Sequence, residues 1–362
     1  MGTSGFTNPI LLGALVALLA AACFGVTAPF IQIFGRGLGP FVTASLLYLG
    51  AALGSLPVPR LPRRGRVQTE PPIRRRHLGR LLLVAFFGAA LAPTLFAWGL
   101  QRVPAATASL LLNGEVVFTV GLAALFFREH VGSHALLAVV IMCVGGIVAA
   151  SGAPRSAQGL LGTVAIVGAV LGWALDNVLT RPLADLDPGE VVRTKALLGV
   201  VLTATLALVR GEPWPQPGPL FGLLLCGATG YGLSLRLYLL AQRRIGTART
   251  GSIFALAPFL GAATAMVLGD RSPTWTTGLA AALFALGAAL HLTERHSHSH
   301  AHWPLEHEHA HRHDDGHHRH AHDVDPGRAH SHPHQHAAAE HSHPHGPDVH
   351  HGHPHERSRP PR

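Results

Sequence analysis

Charge is scarce in this sequence. Of 362 residues only 13% are Asp, Glu, Lys or Arg, where a soluble domain carries about 25%. Acidic residues are the scarcer kind, 19 against 28 basic, and runs such as Leu12 to Val26 and Leu279 to Leu290 hold no charge at all. Helices without a polar face cannot lie on the surface of a soluble domain, so a single soluble globular enzyme is excluded. Cysteine is equally sparse. Cys23, Cys143 and Cys226 lie in apolar runs and form no CxxC, which excludes a disulfide framework and a cysteine-ligated zinc site. Aromatics make up 6% and show no stacking or zinc-finger pattern, so the pI near 10.8 is not read as nucleic-acid binding. GxSxG, Walker A, HExxH and a GxGxxG in a βαβ setting are all missing, and the chain is not read as an enzyme.

What is present is apolar length, with a mean hydropathy of +0.30. A bilayer-spanning helix needs ~20 mainly apolar residues. Residues 9–33, 38–56, 80–100, 104–127, 132–151, 159–180, 190–209, 218–240, 246–268 and 274–292 qualify. The first run is read as a retained helix, not a signal peptide, because residues 1–8 lack basic residues and the run passes beyond Cys23. Arginines concentrate in the even-numbered loops, above all the eight between Arg60 and Arg80. The positive-inside rule then places both termini in the cytosol, with the protein in the inner membrane.

The membrane part is quasi-periodic at half its length. Phe-Gly-Val-Thr-Ala-Pro at 24–29 lies over Trp-Ala-Leu-Asp-Asn-Val at 173–178, an offset of 149, and the stretch from Gln101 lies over that from Gln242, an offset of 141. Two units of five helices must be inverted relative to each other, and an inverted repeat places a transport pathway at the interface between halves. At Ala106 to Glu129, and at Gly246 to Asp270 with Ala257-Pro258 and Leu268-Gly269-Asp270, the chain resembles the EamA-type carriers of the drug/metabolite transporter superfamily. The resemblance covers about 9–292. It implies ten helices in two inverted five-helix repeats and the export of amino acids or other metabolites. The expected architecture is therefore an all-α integral membrane protein. Its parts are a first repeat over 9–152, a second over 158–292 and a disordered tail over 293–362.

Ionisable groups at membrane depth cost at least ~2.5–3.5 kcal/mol, which makes each a functional suspect. Glu115, beside Asn113, is a candidate proton carrier, since loss of water disfavours the charged form of a carboxyl; a salt bridge to Arg236 is the structural alternative. Asp176 with Asn177 occupies the repeat position of Thr27 and could hold a substrate amine or pair with Arg181 or Lys195. Arg236, beside Tyr238, could pair with a carboxylate of the substrate or of Glu115, and fixed charges of both signs would suit a zwitterion. Pro29, Pro93 and Pro258 remove backbone donors mid-helix and are expected to open kinks.

Histidine is the second surplus. Of 27, all but His77, His130 and His134 lie between His291 and His355. This composition has little to bury and is expected to be disordered. Neutral imidazole ligates Zn, Ni, Co or Cu. The candidate ligands are His298, His300, His302, His307, His309, His311, His313, His317, His318, His320 and His322. The expected partners are the lipid bilayer and a small-molecule substrate, with no nucleic acid and no required cofactor; a homodimer is left open. The function is read as a secondary transporter exporting an amino-acid-like or drug-like metabolite by alternating access. The alternative is divalent transition-metal efflux fed by the tail.

Overall fold

The computed structural model describes residues 9–55, 73–127, 132–154, 156–183, 186–272 and 274–293, together with the backbone of 296–302, 305–311, 330–336 and 339–345. Among them, eight helical segments are long and apolar enough to cross a membrane. These are α1 (Leu11–Phe34), α3 (Arg75–Leu100), α4 (Ala105–Phe126), α5 (Ser133–Ser151), α6 (Ala157–Leu183), α7 (Gly189–Val209), α8 (Pro217–Gln242) and α9 (Arg249–Val267). Two further apolar helices, α2 (Pro40–Gly54) and α10 (Trp275–Leu290), are shorter. All fall on the apolar runs of the sequence.

α2 shows why a run of 38–56 contracts. Gly39 is its N-cap and Pro40 its first residue, where no backbone N–H is needed, and its 15 residues rise only about 22 Å. Almost every side chain from Val42 to Ala52 is buried in protein, so α2 meets other helices rather than lipid. Gly50 and Gly54, four apart, face α8, and a Cβ at Gly50 would strike the Leu224 carbonyl and the Ala228 amide. Small residues at this spacing let two membrane helices approach at backbone distance.

The helix contacts have a regularity of their own. α1 packs on α8 and α9, α6 on α3 and α4, α2 on α8 and α3 on α7, while α2–α7, α4–α9 and α5–α10 pair with each other. Exchanging each helix with the one five places on leaves this set unchanged. Irregularities recur in the same register. α3 carries a π-helical turn at Ala85–Leu91 and α8 one at Gly227–Leu233; α4 breaks after Leu111 and α9 after Phe254. A Cβ at Gly88 in the first π turn would fall on the Asp176 carboxylate of α6. One at Gly230 in the second would fall on the Thr27 hydroxyl of α1, at the position matched to Asp176.

The π turn in α3 has an identifiable cause and effect. Ala92 N–H bonds to Phe87 O, five residues back, so the next carbonyl, Gly88 O, would be served by residue 93. Residue 93 is proline and has no N–H. The orphaned carbonyl instead accepts from the Tyr48 hydroxyl of α2 and from Trp173 Nε1 of α6, the latter at 3.2 Å. One proline thereby fixes two aromatic side chains from different helices.

The perimeter is apolar: Ile147, Val209 and Val267 are each more than 70% exposed, as lipid-facing residues of a multi-pass membrane protein are. In the tail, His296–His302 pairs antiparallel with Ala339–His345, and Leu305–His311 with His330–His336. The His-x-His alternation has the period of two that extended pairing uses.

Candidate functional site

A cavity of about 330 Å³ lies where α1, α2, α4, α6, α7, α8 and α9 meet. The break in α4 builds one wall. Asn113 N–H and Glu115 N–H bond only three residues back, to Leu110 O and Leu112 O, and the Asn113 side chain also donates to Leu110 O at 3.0 Å. The helix restarts at Gly114 with Glu115 in its first turn, about 15 Å along α4, near mid-membrane. Across the cavity, Asn177 Nδ2 donates to Glu115 Oε1 at 2.6 Å. Asp176, the residue before Asn177, forms an ion pair with Lys195 of α7 and accepts from Thr180 Oγ1 at 3.2 Å. Lys195 is 20% exposed, Asp176 only 5%, and Asn177 is exposed. The cavity therefore meets solvent at the end of the bundle that carries the even-numbered loops.

The remaining walls are aromatic. Phe24 meets Tyr231 edge-on at 5.9 Å and Phe254 at 5.6 Å, Tyr48 lies 5.6 Å from Tyr231, and Tyr238 meets Phe254 edge-on at 5.0 Å. Trp173 lies 6.4 Å from Tyr231, which makes a connected set of rings. Ser234, also on the lining, donates to Ala20 O at 2.8 Å.

Of the six residues expected at a substrate site, Glu115, Asp176, Asn177 and Tyr238 line this one cavity. Asn113 does not; it is buried and holds the α4 break. Arg236 lies off the lining, half-buried on α8, and makes no ion pair with Glu115 among the described residues. Lys195, one of the two partners expected for Asp176, pairs with it. Sequence reasoning missed Phe24, Tyr48, Trp173, Tyr231 and Phe254, since a ring in an apolar helix reads the same whether it faces lipid or a cavity. Among the described residues, no group of three His, Cys, Asp or Glu could hold a metal ion. His298, His300, His302, His307, His309 and His311 lie on described tail backbone, and His313, His317, His318, His320 and His322 lie outside the described residues.

The sequence matches the EamA-like transporter family twice, over residues 11–151 and again over 160–293. The chain belongs to that family. This EamA-like chain is 27% identical over 274 residues to an uncharacterized transporter of Methanothermobacter thermautotrophicus, a match covering 71% of this chain and 79% of the relative. It shares its fold with a protein of known crystal structure at a TM-score of 0.54, with 18% identity, covering 77% of this chain and 96% of the other.

At the opposite end of this EamA-like bundle, hydrogen bonds tie its helices to one another. Glu212, between α7 and α8, accepts from Phe41 N at 3.4 Å and Val42 N at 2.8 Å, two of the orphan donors at the start of α2. Asp270, after α9, accepts from Ala106 N at 3.1 Å at the start of α4. Gln32 donates to Leu100 O and Val103 O, and Gln101 to Gly35 O and Leu38 O. Glu212 and Asp270 are carboxylates of the second half gripping helix starts of the first.

Proposed function

We propose that this membrane transporter is a secondary carrier that exports a small organic metabolite by alternating access. In this reading ten crossings form two inverted five-helix units, and both termini lie in the cytosol. The observation that carries it is the cavity reached from the arginine-rich loop end while carboxylates and glutamines tie the other end. That is the geometry of a carrier waiting to load on one side, and a continuous pore would have no such tie. The double family match, the contact set unchanged by exchange of halves and the paired π turns support the repeat. Glu115 is the proton-carrying group of this proposal, and Asp176, Asn177 and Tyr238 belong to the substrate site with it. Nothing among the described residues favours divalent-metal efflux; the tail histidines are proposed as a metal-chelating appendage beside the transport path.

The test is flux in proteoliposomes under an imposed pH gradient, wild type against Glu115→Gln. Gradient-driven flux in the wild type and none in the variant, at equal recovery of folded protein, is the expected result. Equal coupling in both would end the proton-carrier role, and the absence of gradient-driven flux across a panel of amines and amino acids would end the carrier reading.

A further inference from the structure

The charges on the cavity lining do not balance: the described residues put the carboxylates of Glu115 and Asp176 against the single ammonium of Lys195. Tyr48 and Trp173 donate to Gly88 O and Ser234 to Ala20 O, while Asn177 and Lys195 each give one N–H, to Glu115 Oε1 and Asp176 Oδ2, and keep others. The ammonium of Lys195 is the one cation among the described lining residues, and the Asp176 carboxylate takes it. Glu115 is left with no ion-pair partner among the described residues and with one carboxylate oxygen that accepts nothing. The hydroxyls of Tyr231 and Tyr238 can donate or accept, so they do not change the sign.

From this we infer that the cavity takes a small organic cation, an amine or quaternary ammonium on an apolar body, and discriminates against molecules that also carry a carboxylate. Glu115 supplies the counter-charge. The connected rings of Phe24, Tyr231, Tyr238 and Phe254 supply negative π faces and an apolar wall for the body. A substrate carboxylate would find the one lining cation already paired and would lie beside the unpaired Glu115 carboxylate, and like charges brought together are disfavoured. This differs from the zwitterion that Arg236 would have favoured, because Arg236 lies off the lining. The inference rests on the carrier reading for its transport meaning; the charge balance holds for binding alone.

Three ligands that share one ring and differ in charge test it: 2-phenylethylamine, L-phenylalanine and 3-phenylpropionate. Binding is read as the change in tryptophan fluorescence of the full chain in detergent, and transport as flux in proteoliposomes. The amine is expected to bind, phenylalanine at least ~10-fold more weakly, and the acid not at all. Glu115→Gln should cost the amine at least ~10-fold, while Arg236→Gln leaves its affinity within about twofold. Should the Glu115 variant not fold, Phe254→Leu removes a ring face without touching charge and should weaken the amine about threefold. Binding of the zwitterion or the acid as tightly as the amine would overturn the inference. Binding of none of the three, or an amine affinity indifferent to both substitutions, would do so as well. Amine binding without flux of any of the three would instead leave the inference standing and remove the carrier reading.

Discussion

Lys195 and Asp176 pair opposite charges at the mouth of the cavity, with the Asp176 side chain buried and Lys195 partly exposed. Removing one member leaves the other buried and unpaired, a loss typically of about 3–5 kcal/mol, whereas replacing both with isosteres is far milder. Lys195→Met should therefore lower the melting temperature in detergent sharply, and the double variant Asp176→Asn with Lys195→Met should recover most of that loss. If the single and double variants melt alike, the pair contributes nothing to the fold. These two residues also mark how far the sequence could be read. Asp176 and Glu115 declare themselves because an acid at membrane depth needs a reason. Arg236 declares itself equally and yet lies off the cavity, since the presence of a charge in α8 does not tell which face of the helix turns inward.

At the scale of the element, close approach and irregular hydrogen bonding decide more than helix propensity does. Gly50 abuts the backbone of α8, while Gly79 has open space where its Cβ would be. Gly50→Leu should cost about 3 kcal/mol or prevent recovery of folded protein, since backbone cannot yield as a side chain can. Gly79→Ala should be neutral or stabilising by up to ~1 kcal/mol. Thermal melts of the two variants side by side check the contrast. Glu212 and Asp270 belong at this scale too, as carboxylates that hold helix starts across the two halves. Glu212→Gln combined with Asp270→Asn should loosen that end. A cysteine placed at Ala51, in a background with Cys23, Cys143 and Cys226 replaced by alanine, should then react faster with an impermeant reagent added from the odd-loop side. An unchanged rate would show that the ties do not hold that end closed. Apolar runs made the helices themselves legible, but not the π turns: Ala-Phe-Phe-Gly-Ala-Ala-Leu has no feature that sets it apart from ordinary helix until Pro93 is seen two residues beyond.

For the whole molecule, the membrane body and the histidine tail are separable by composition, and their roles should be separable by experiment. The full chain is expected to bind several Ni²⁺ ions by calorimetry and residues 1–293 far fewer, with transport by the two alike in metal-free buffer; tail-dependent transport there would join the parts. Within the body, the two halves repeat the same joint with one difference. In each, a π-turn glycine seats a residue of the opposite half, but Gly230 meets the hydroxyl of Thr27 where Gly88 meets the charge of Asp176. With perfect twofold exchange, the two faces of the membrane would offer a substrate identical vestibules. Under the proposed inverted arrangement this chain cannot do that, because only one vestibule is built around a carboxylate and its lysine. The half-saturation concentrations for loading from the two sides must then differ, although no passive cycle can shift the equilibrium it reaches. The sidedness of the carrier would thus be kinetic, and written in a single unmatched pair of residues, Thr27 and Asp176.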